Sequence, residues 1–385
     1  MPEELKARVR ARLDELQQHQ LLRTLCPPTG IDLSSNDYLG FANHPLLKAR
    51  MMDAVEREGC GSTGSRLLRG ERESFAAIER RFASFKGSER ALYFSSGYLA
   101  NLAVLATLPE AGDLILSDER NHASLIDGIR LSAAGRVVFP HRDIAAVARL
   151  VDEYQGGGQI FVVTESLFSM DGDYAPLAEY ATICRATRAA LIVDEAHAVG
   201  IFGERGSGLI ESSGTDEEVF VSVNTAGKAL GVAGAFVAGP GGAIDYLVQH
   251  ARSFIFSTAP PPSVAAALDA SLTLVATEPE RRTALMDRAR YLRGHLVEAG
   301  IPVPDGSSQI VPVVLGENDR ALSVAGVLQS EGFDVRAIRP PTVAPGTARL
   351  RLSVNLNLTE ATLDRFVACL AAVVGRSLPC SAVSS

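Results

Sequence analysis

Cysteine is scarce in this chain and gathers nowhere. The five residues, Cys26, Cys60, Cys184, Cys369 and Cys380, lie far apart and make no CxxC pair. An odd number without metal-ligand spacing speaks against a zinc site or a disulfide framework, and for free thiols in a reducing cytoplasm. No apolar run approaches the ~18 residues needed to cross a bilayer, so no membrane partner is expected. No secretory signal is expected at the N-terminus either. Met1 to Leu16 mixes Lys6, Arg8, Arg10 and Arg12 with Glu3, Glu4, Asp14 and Glu15, without an apolar core. That stretch reads as a solvated amphipathic helix. A long basic block is missing too, and the net charge is −8, which argues against nucleic acid as the main partner. Small basic clusters still suit an anionic substrate. There is no internal repeat and no low-complexity linker.

What is present is an ordinary globular composition, 46% hydrophobic and 21% charged. Its 385 residues exceed what one core usually serves, so one large and one smaller domain are expected. The patterning predicts a helix over 1–22 ended by Pro27-Pro28, then helices at Pro45–Glu58 and Ser74–Phe85. Strand and helix signals alternate from there. Short apolar strands fit Ala91–Phe94, Leu114–Leu116, Val137–Phe139, Ile160–Val163, Leu191–Val193, Val219–Val223 and Ala235–Val237. Helices fit Tyr98–Thr107, Ala123–Ser132, Ile144–Tyr154 and Leu177–Arg188. This is the pattern of an α/β domain with a mainly parallel seven-stranded sheet covered by helices on both faces. From about Ala276 the pattern becomes that of a compact α+β unit. Its helices fall at Arg281–Ala299, Arg320–Glu331 and Glu360–Val374, with strands at Ile310–Leu315, near Val335 and at Leu350–Val354. The boundaries drawn on this reading are 1–44, 45–275 and 276–385. The tail from Ser377 to Ser385 is small and polar and is expected to fray.

In such sheets the ligand sits beyond the carboxyl ends of the strands. The first candidate there is Ser95-Ser96-Gly97-Tyr98, where a helix start offers N–H groups to a phosphate and Gly97 permits close approach, although Ser-Gly pairs are also common caps. The next strand end leads to His122. Another carries Asp194 with His197 three residues on, a pair able to serve a metal, a proton relay or a heterocycle. A third leads through Asn224-Thr225-Ala226-Gly227 to Lys228, well placed to form a Schiff base. Any one of these residues has a plain structural reading. As a set they meet the needs of pyridoxal 5'-phosphate (PLP): a lysine for the imine, a carboxylate for the pyridinium nitrogen and a phosphate cradle. Gly59-Cys60-Gly61-Ser62-Thr63-Gly64 matches a dinucleotide-binding GxGxxG. A helix precedes it where a strand is required, so it reads as a mobile or close-approach glycine loop.

The chain also resembles the α-oxoamine synthases, PLP enzymes of fold type I, from about residue 20 to 376. The resemblance is carried by Leu33-Ser34-Ser35-Asn36-Asp37-Tyr38-Leu39-Gly40, by Thr164-Glu165-Ser166-Leu167-Phe168-Ser169-Met170-Asp171-Gly172-Asp173, and by Val193-Asp194-Glu195-Ala196-His197. It implies that Lys228 holds PLP and moves the Cα proton, that Asp194 pairs with the ring nitrogen and His197 with the ring's phenolic oxygen, and that His122 stacks on the ring. It further implies that Gly97, Tyr98 and Thr225 hold the phosphate, with Ser169 close by, and that Ser257 and Thr258 reach the phosphate of a partner subunit in a homodimer. Arg351 is expected to grip the amino acid's carboxylate, with Arg23, Thr342 and Asn36 near substrate. The stretches Ala337–Val343 and Thr347–Ser353 point, within the family, to L-alanine and pimeloyl-CoA or a pimeloyl carrier-protein thioester. Neighbouring readings are a glycine C-acetyltransferase, an aminotransferase and a protein that kept the fold without the cofactor. Two departures bear on acyl-chain choice, the Thr225–Lys228 turn and Phe75 where relatives often carry His.

Overall fold

The computed structural model describes residues 3–375, so the polar tail Ser377–Ser385 and Cys380 lie outside the described residues. By contact the chain divides into two units, residues 36–169 with 173–284, and residues 3–35 with 170–172 and 285–375.

The larger unit is built on the expected sheet. Its strands are β1 (Arg90–Phe94), β2 (Leu114–Asp118), β3 (Gly135–Phe139), β4 (Ile160–Glu165), β5 (Ala190–Asp194), β6 (Val219–Thr225) and β7 (Ala235–Gly239). They lie in the order β1-β7-β6-β5-β4-β2-β3. Strand β7 runs antiparallel to both of its neighbours and every other pairing is parallel. Alternation along the strands splits their side chains between two cores. Ile115, Val163, Ile192 and Val223 join one cluster, which the helix Gly97–Thr107 completes with Ala100, Ala103 and Val104. Leu116, Val162, Leu191 and Val193 join the other, with Val147 and Val151 of Ile144–Glu153 and Tyr180 and Cys184 of Leu177–Thr187. A sheet covered on both faces explains why β4 and β7 are buried at every position and read as continuous apolar runs. Burial also pushes the Cys184 thiol up to about 12, which makes it a packing residue.

Four α-helices of this unit lacked a sequence signal: Leu209–Ser213, Gly241–His250, Arg252–Ile255 and Ser263–Thr277. Ser263–Thr277 buries residues all round, among them Val264, Leu268, Leu272 and Val275, so it shows no amphipathic period. The glycine loop ends in a π-helical turn, Arg66–Gly70. A Cβ on Gly70 would collide with the Gly64 carbonyl, so this close approach needs glycine at position 70. Buried Arg66 anchors the turn against Glu71 and, at 2.9 Å, Glu79.

The smaller unit carries an antiparallel sheet of Ala337–Ile338, Ala348–Ser353 and Ile310–Gly316 in that order. Its helices Asn318–Ser330 and Glu360–Val374 bury Val324, Leu328, Leu363, Phe366 and Leu370. The helix at the N-terminus spans Glu3–Gln18, shorter than the patterning suggested, and buries no residue. Residues 3–35 group with the C-terminal residues, where the sequence reading set 1–44 apart and began the C-terminal unit at 276. The join is Ile31–Asp32 pairing in parallel with Phe333–Asp334, reinforced by Ser353 N–H donating to Leu33 O at 2.8 Å.

Phe236 of β7 is fully buried and stacks on Phe82 with ring centroids 4.0 Å apart. Phe236→Ala is expected to cost about 3–5 kcal/mol of stability, read as a lower midpoint in urea or thermal unfolding. An unchanged midpoint would show that this aromatic stack does not support the sheet.

Candidate active site

Parallel strands send their carboxyl ends to one edge, and here that edge is crowded with polar groups. Register sets Ser117 beside Val163, Glu165 beside Asp194 and Asp194 beside Val223. The turn after Asp194 is rigidly held. Glu195 N–H donates to Val223 O at 2.7 Å, and Ala196 N–H donates to Asp194 Oδ1 at 2.8 Å. The Glu195 side chain, fully buried, accepts from Lys86 Nζ at 2.6 Å and from the N–H groups of Leu209 and Ile210 at 2.7 and 3.1 Å. That buried ion pair fixes the backbone that presents His197.

His197 lies at the centre of the resulting network. Its Nε2 is 2.8 Å from Lys228 Nζ, and its Nδ1 is 2.8 Å from the hydroxyl of buried Tyr38. Tyr38 in turn donates to Asn36 Oδ1 at 2.9 Å. Lys228 is half-buried on a turn closed by Gly231 N–H donating to Lys228 O at 2.8 Å. Asp194 Oδ2 accepts from Asn101 Nδ2 at 2.7 Å. The same amide donates to Ser124 Oγ at 2.9 Å, and Ser124 Oγ lies 2.8 Å from His122 Nδ1. His122 is exposed, yet protein around its ring desolvates it enough to lower its pKa. Lys228 adds to that lowering and the Asp194 charge opposes it.

Directly beside Asp194, Glu165 is buried, and its Oε1 has no hydrogen-bond partner among the described residues. Burial pushes its carboxyl up to about 8. The Asp194 charge adds to that rise, while Lys228 and backbone N–H groups of His122 and Ser169 act against it. Two adjacent buried carboxylates resist ionising together, which favours the protonated form of Glu165.

The phosphate-cradle candidates adjoin this network. Gly97 opens its helix beneath Thr225, and a Cβ at Gly97 would come within 2.6 Å of Thr225 Oγ1. The N–H groups of a first helical turn have no partner within the helix, which suits them to an anion. Tyr98 is exposed and its hydroxyl is taken by Asp127, leaving its backbone as the relevant part. Among the described residues, Thr258 makes its bridge to Ser65 of the glycine loop, and Ala259 N–H donates to Gly64 O at 2.9 Å. Ser257 and Thr258 therefore belong to that loop and not to the Lys228 network. Arg23, Thr342 and Arg351 belong to the smaller unit. There Arg351 is buried and donates to Ser353 Oγ at 2.7 Å, Arg23 is exposed and donates to Pro340 O at 3.3 Å, and Thr342 is exposed.

Asn101, Ser124, Glu165 and Tyr38 were given no role on sequence grounds. Glu165 and Tyr38 stand inside the quoted motifs, and a carboxylate ending the strand next to Asp194 was the available signal. Asn101 lies one turn into a helix, at i+4 from Gly97, where only the fold reveals its partner.

The aminotransferase class I and II family model matches residues 28–370. The 8-amino-7-oxononanoate synthase of Geobacter sulfurreducens is 45% identical over 343 residues, 89% of this chain and 88% of the relative. That of Anaeromyxobacter dehalogenans is 47% identical over 345 residues, 89% of this chain and 86% of the relative. Among solved structures, a serine palmitoyltransferase from S. paucimobilis with bound PLP–myriocin aldimine superposes with TM-score 0.89 at 29% identity, over 95% of this chain and 97% of that one. The 8-amino-7-oxononanoate synthase of Francisella tularensis superposes with TM-score 0.77 at 30% identity, over 90% of this chain and 98% of that one.

Because the folded pKa of Glu165 lies above its ordinary 4.5, the stability this group contributes is full below pH 4.5 and lost as pH rises through about 8. Glu165→Gln keeps the shape of the protonated acid. The fall in melting temperature between about pH 5 and about pH 8 should be smaller in the variant than in the parent protein. An equal fall in both would show that Glu165 does not hold its proton.

Proposed function

From a chain that belongs to the aminotransferase class I and II family, we infer a PLP-dependent acyltransferase that makes 8-amino-7-oxononanoate for biotin synthesis. The reaction joins Cα of L-alanine to the thioester carbonyl carbon of pimeloyl-CoA, releases the CoA thiol and loses the alanine carboxylate as CO2. A pimeloyl carrier-protein thioester is the alternative donor. The observation that carries the reading is the convergence of Lys228, His197, Asp194 and His122 at the ends of β2, β5 and β6, in a chain 45% and 47% identical to two 8-amino-7-oxononanoate synthases.

The residues fit PLP. A buried carboxylate, a half-buried lysine and a glycine that a Cβ would drive into Thr225 are the acid partner, the amine and the phosphate approach that the group needs. Bound there, PLP supplies an imine-forming aldehyde and an electron-withdrawing ring that stores the electron pair left on Cα. In our reading Lys228 would hold PLP through its side-chain amine, and the same amine would take the proton from Cα and later return one. Asp194 would face the ring nitrogen, His197 the phenolic oxygen, and His122 would cover the ring face. The N–H groups of Gly97 and Tyr98 and the hydroxyl of Thr225 bind the phosphate, with Ser169 next to the ring. Arg351 grips the alanine carboxylate with its planar fork, and Arg23, Asn36 and Thr342 contact substrate. Ser257 and Thr258 serve a second copy of the chain in a homodimer. Support for a role of that segment is its clamping to the glycine loop.

Among the described residues no helix is long and apolar enough to cross a membrane. The cytoplasm is the proposed location, in keeping with the free thiols of Cys26, Cys60, Cys184 and Cys369.

Thiol release from pimeloyl-CoA and acetyl-CoA, each with alanine, glycine or serine, tests the reading. Alanine with pimeloyl-CoA should give the highest kcat/KM, and Lys228→Ala should abolish turnover. Preference for glycine with acetyl-CoA, or amino transfer to an oxo acid without thiol release, would overturn it.

A further inference from the structure

One path of hydrogen bonds runs from Asp194 through Asn101 and Ser124 to His122. Asn101 and Ser124 are both buried polar residues, and neither is the N-cap of its helix. The carboxylate of Asp194 can only accept, so the amide of Asn101 must turn its Nδ2 toward Oδ2, at 2.7 Å; the flipped amide would set Oδ1 against a negative oxygen. The second N–H of Nδ2 then points at Ser124 Oγ, at 2.9 Å. That oxygen accepts from the amide, which leaves its own proton for His122 Nδ1, 2.8 Å away. The backbone N–H of Ser124 also faces Nδ1, at 3.3 Å, as part of the helix cap. Two donors therefore converge on Nδ1, and a protonated Nδ1 would oppose both.

We propose that Asn101 and Ser124 are positioning residues that hold His122 as the neutral Nε2–H tautomer, with Asp194 setting the direction of the chain of hydrogen bonds. This deepens the PLP reading and rests on it for the roles of His122 and Asp194. A neutral ring at His122 does not compete for the Asp194 charge, which stays available to a ring nitrogen. It also presents Nε2–H, a donor, away from the buried path. Desolvation of the ring by the surrounding protein and the nearby Lys228 work in the same direction, against a charged His122.

The tautomer is measurable whether or not the protein turns over. Long-range proton–nitrogen NMR on ¹⁵N-histidine-labelled protein, with and without added PLP, reads it, and a His122→Gln sample assigns the signal. The expected result is a neutral Nε2–H ring at pH 7 in both states. Asn101→Leu, close in size but without donors, and Ser124→Ala should each yield a tautomer mixture. Ser124→Thr, which keeps the hydroxyl, should restore the single form. In the PLP-loaded protein the pH midpoint of the cofactor's visible absorbance should shift in Asn101→Leu and return toward the parent value in Asn101→Gln. An Nδ1–H or doubly protonated His122 at pH 7, or an unchanged tautomer in Ser124→Ala, would overturn the proposal. Should Asn101→Leu fail to fold, the Ser124 pair still decides. A correct tautomer in a protein that binds no PLP would sink the functional reading and leave this inference standing.

Discussion

A carboxylate nearly sealed from water at the end of a parallel strand is costly, and Asp194 is such a group, only 5% exposed. The fold compensates it with an amide N–H from Asn101 and the backbone N–H of Ala196. It also sets the carboxyl of Glu165 alongside, where burial and the neighbouring Asp194 favour its protonated form. A negative charge held this way has a demand of its own, a cationic partner, and a protonated pyridine ring answers it. The remainder of the site follows from where that charge is placed. His197 sits in the turn that follows Asp194, Lys228 lies beyond the neighbouring strand, and His122 is joined to Asp194 through two neutral side chains.

Rigidity comes from the same elements. The turn carrying His197 is pinned by the Lys86–Glu195 pair, in which both side chains are within 5% of full burial. Removing one partner of such a pair typically costs about 3–5 kcal/mol because a charge is left uncompensated. An ion pair of this kind specifies one geometry more than it adds stability. In this turn that geometry sets His197 Nε2 at 2.8 Å from Lys228 Nζ. A further pinning contact lies behind the strand ends, where His141 bridges Asp118 at 2.9 Å and Asp173 at 2.8 Å. Burial lowers its pKa, but the two carboxylates prevail and bring it up to about 9, so it stands charged at neutral pH.

The sheet was legible because strands buried on both faces must be short apolar runs, as at Ile160–Glu165 and Ala190–Asp194. The residues after those runs were legible for the same topological reason, which is how Asp194, His197 and Lys228 were found. Ser263–Thr277 was not, because a helix buried all round has no period to read. The pairing of Ile31–Asp32 with Phe333–Asp334 joins segments about three hundred residues apart, and nothing local announces it. Asn101 and Ser124 escaped for a third reason. Each is a small polar residue in an otherwise unremarkable helix, and its partner is visible only when two helices and a strand end are brought together.

The imine at Lys228 is the claim on which the chemistry stands. Borohydride reduction of the PLP-loaded protein, followed by proteolysis and mass spectrometry, reads it directly. The account predicts one peptide heavier by the reduced phosphopyridoxyl group, modified at Lys228. A label on another lysine, or none on protein that has visibly bound the cofactor, would contradict it.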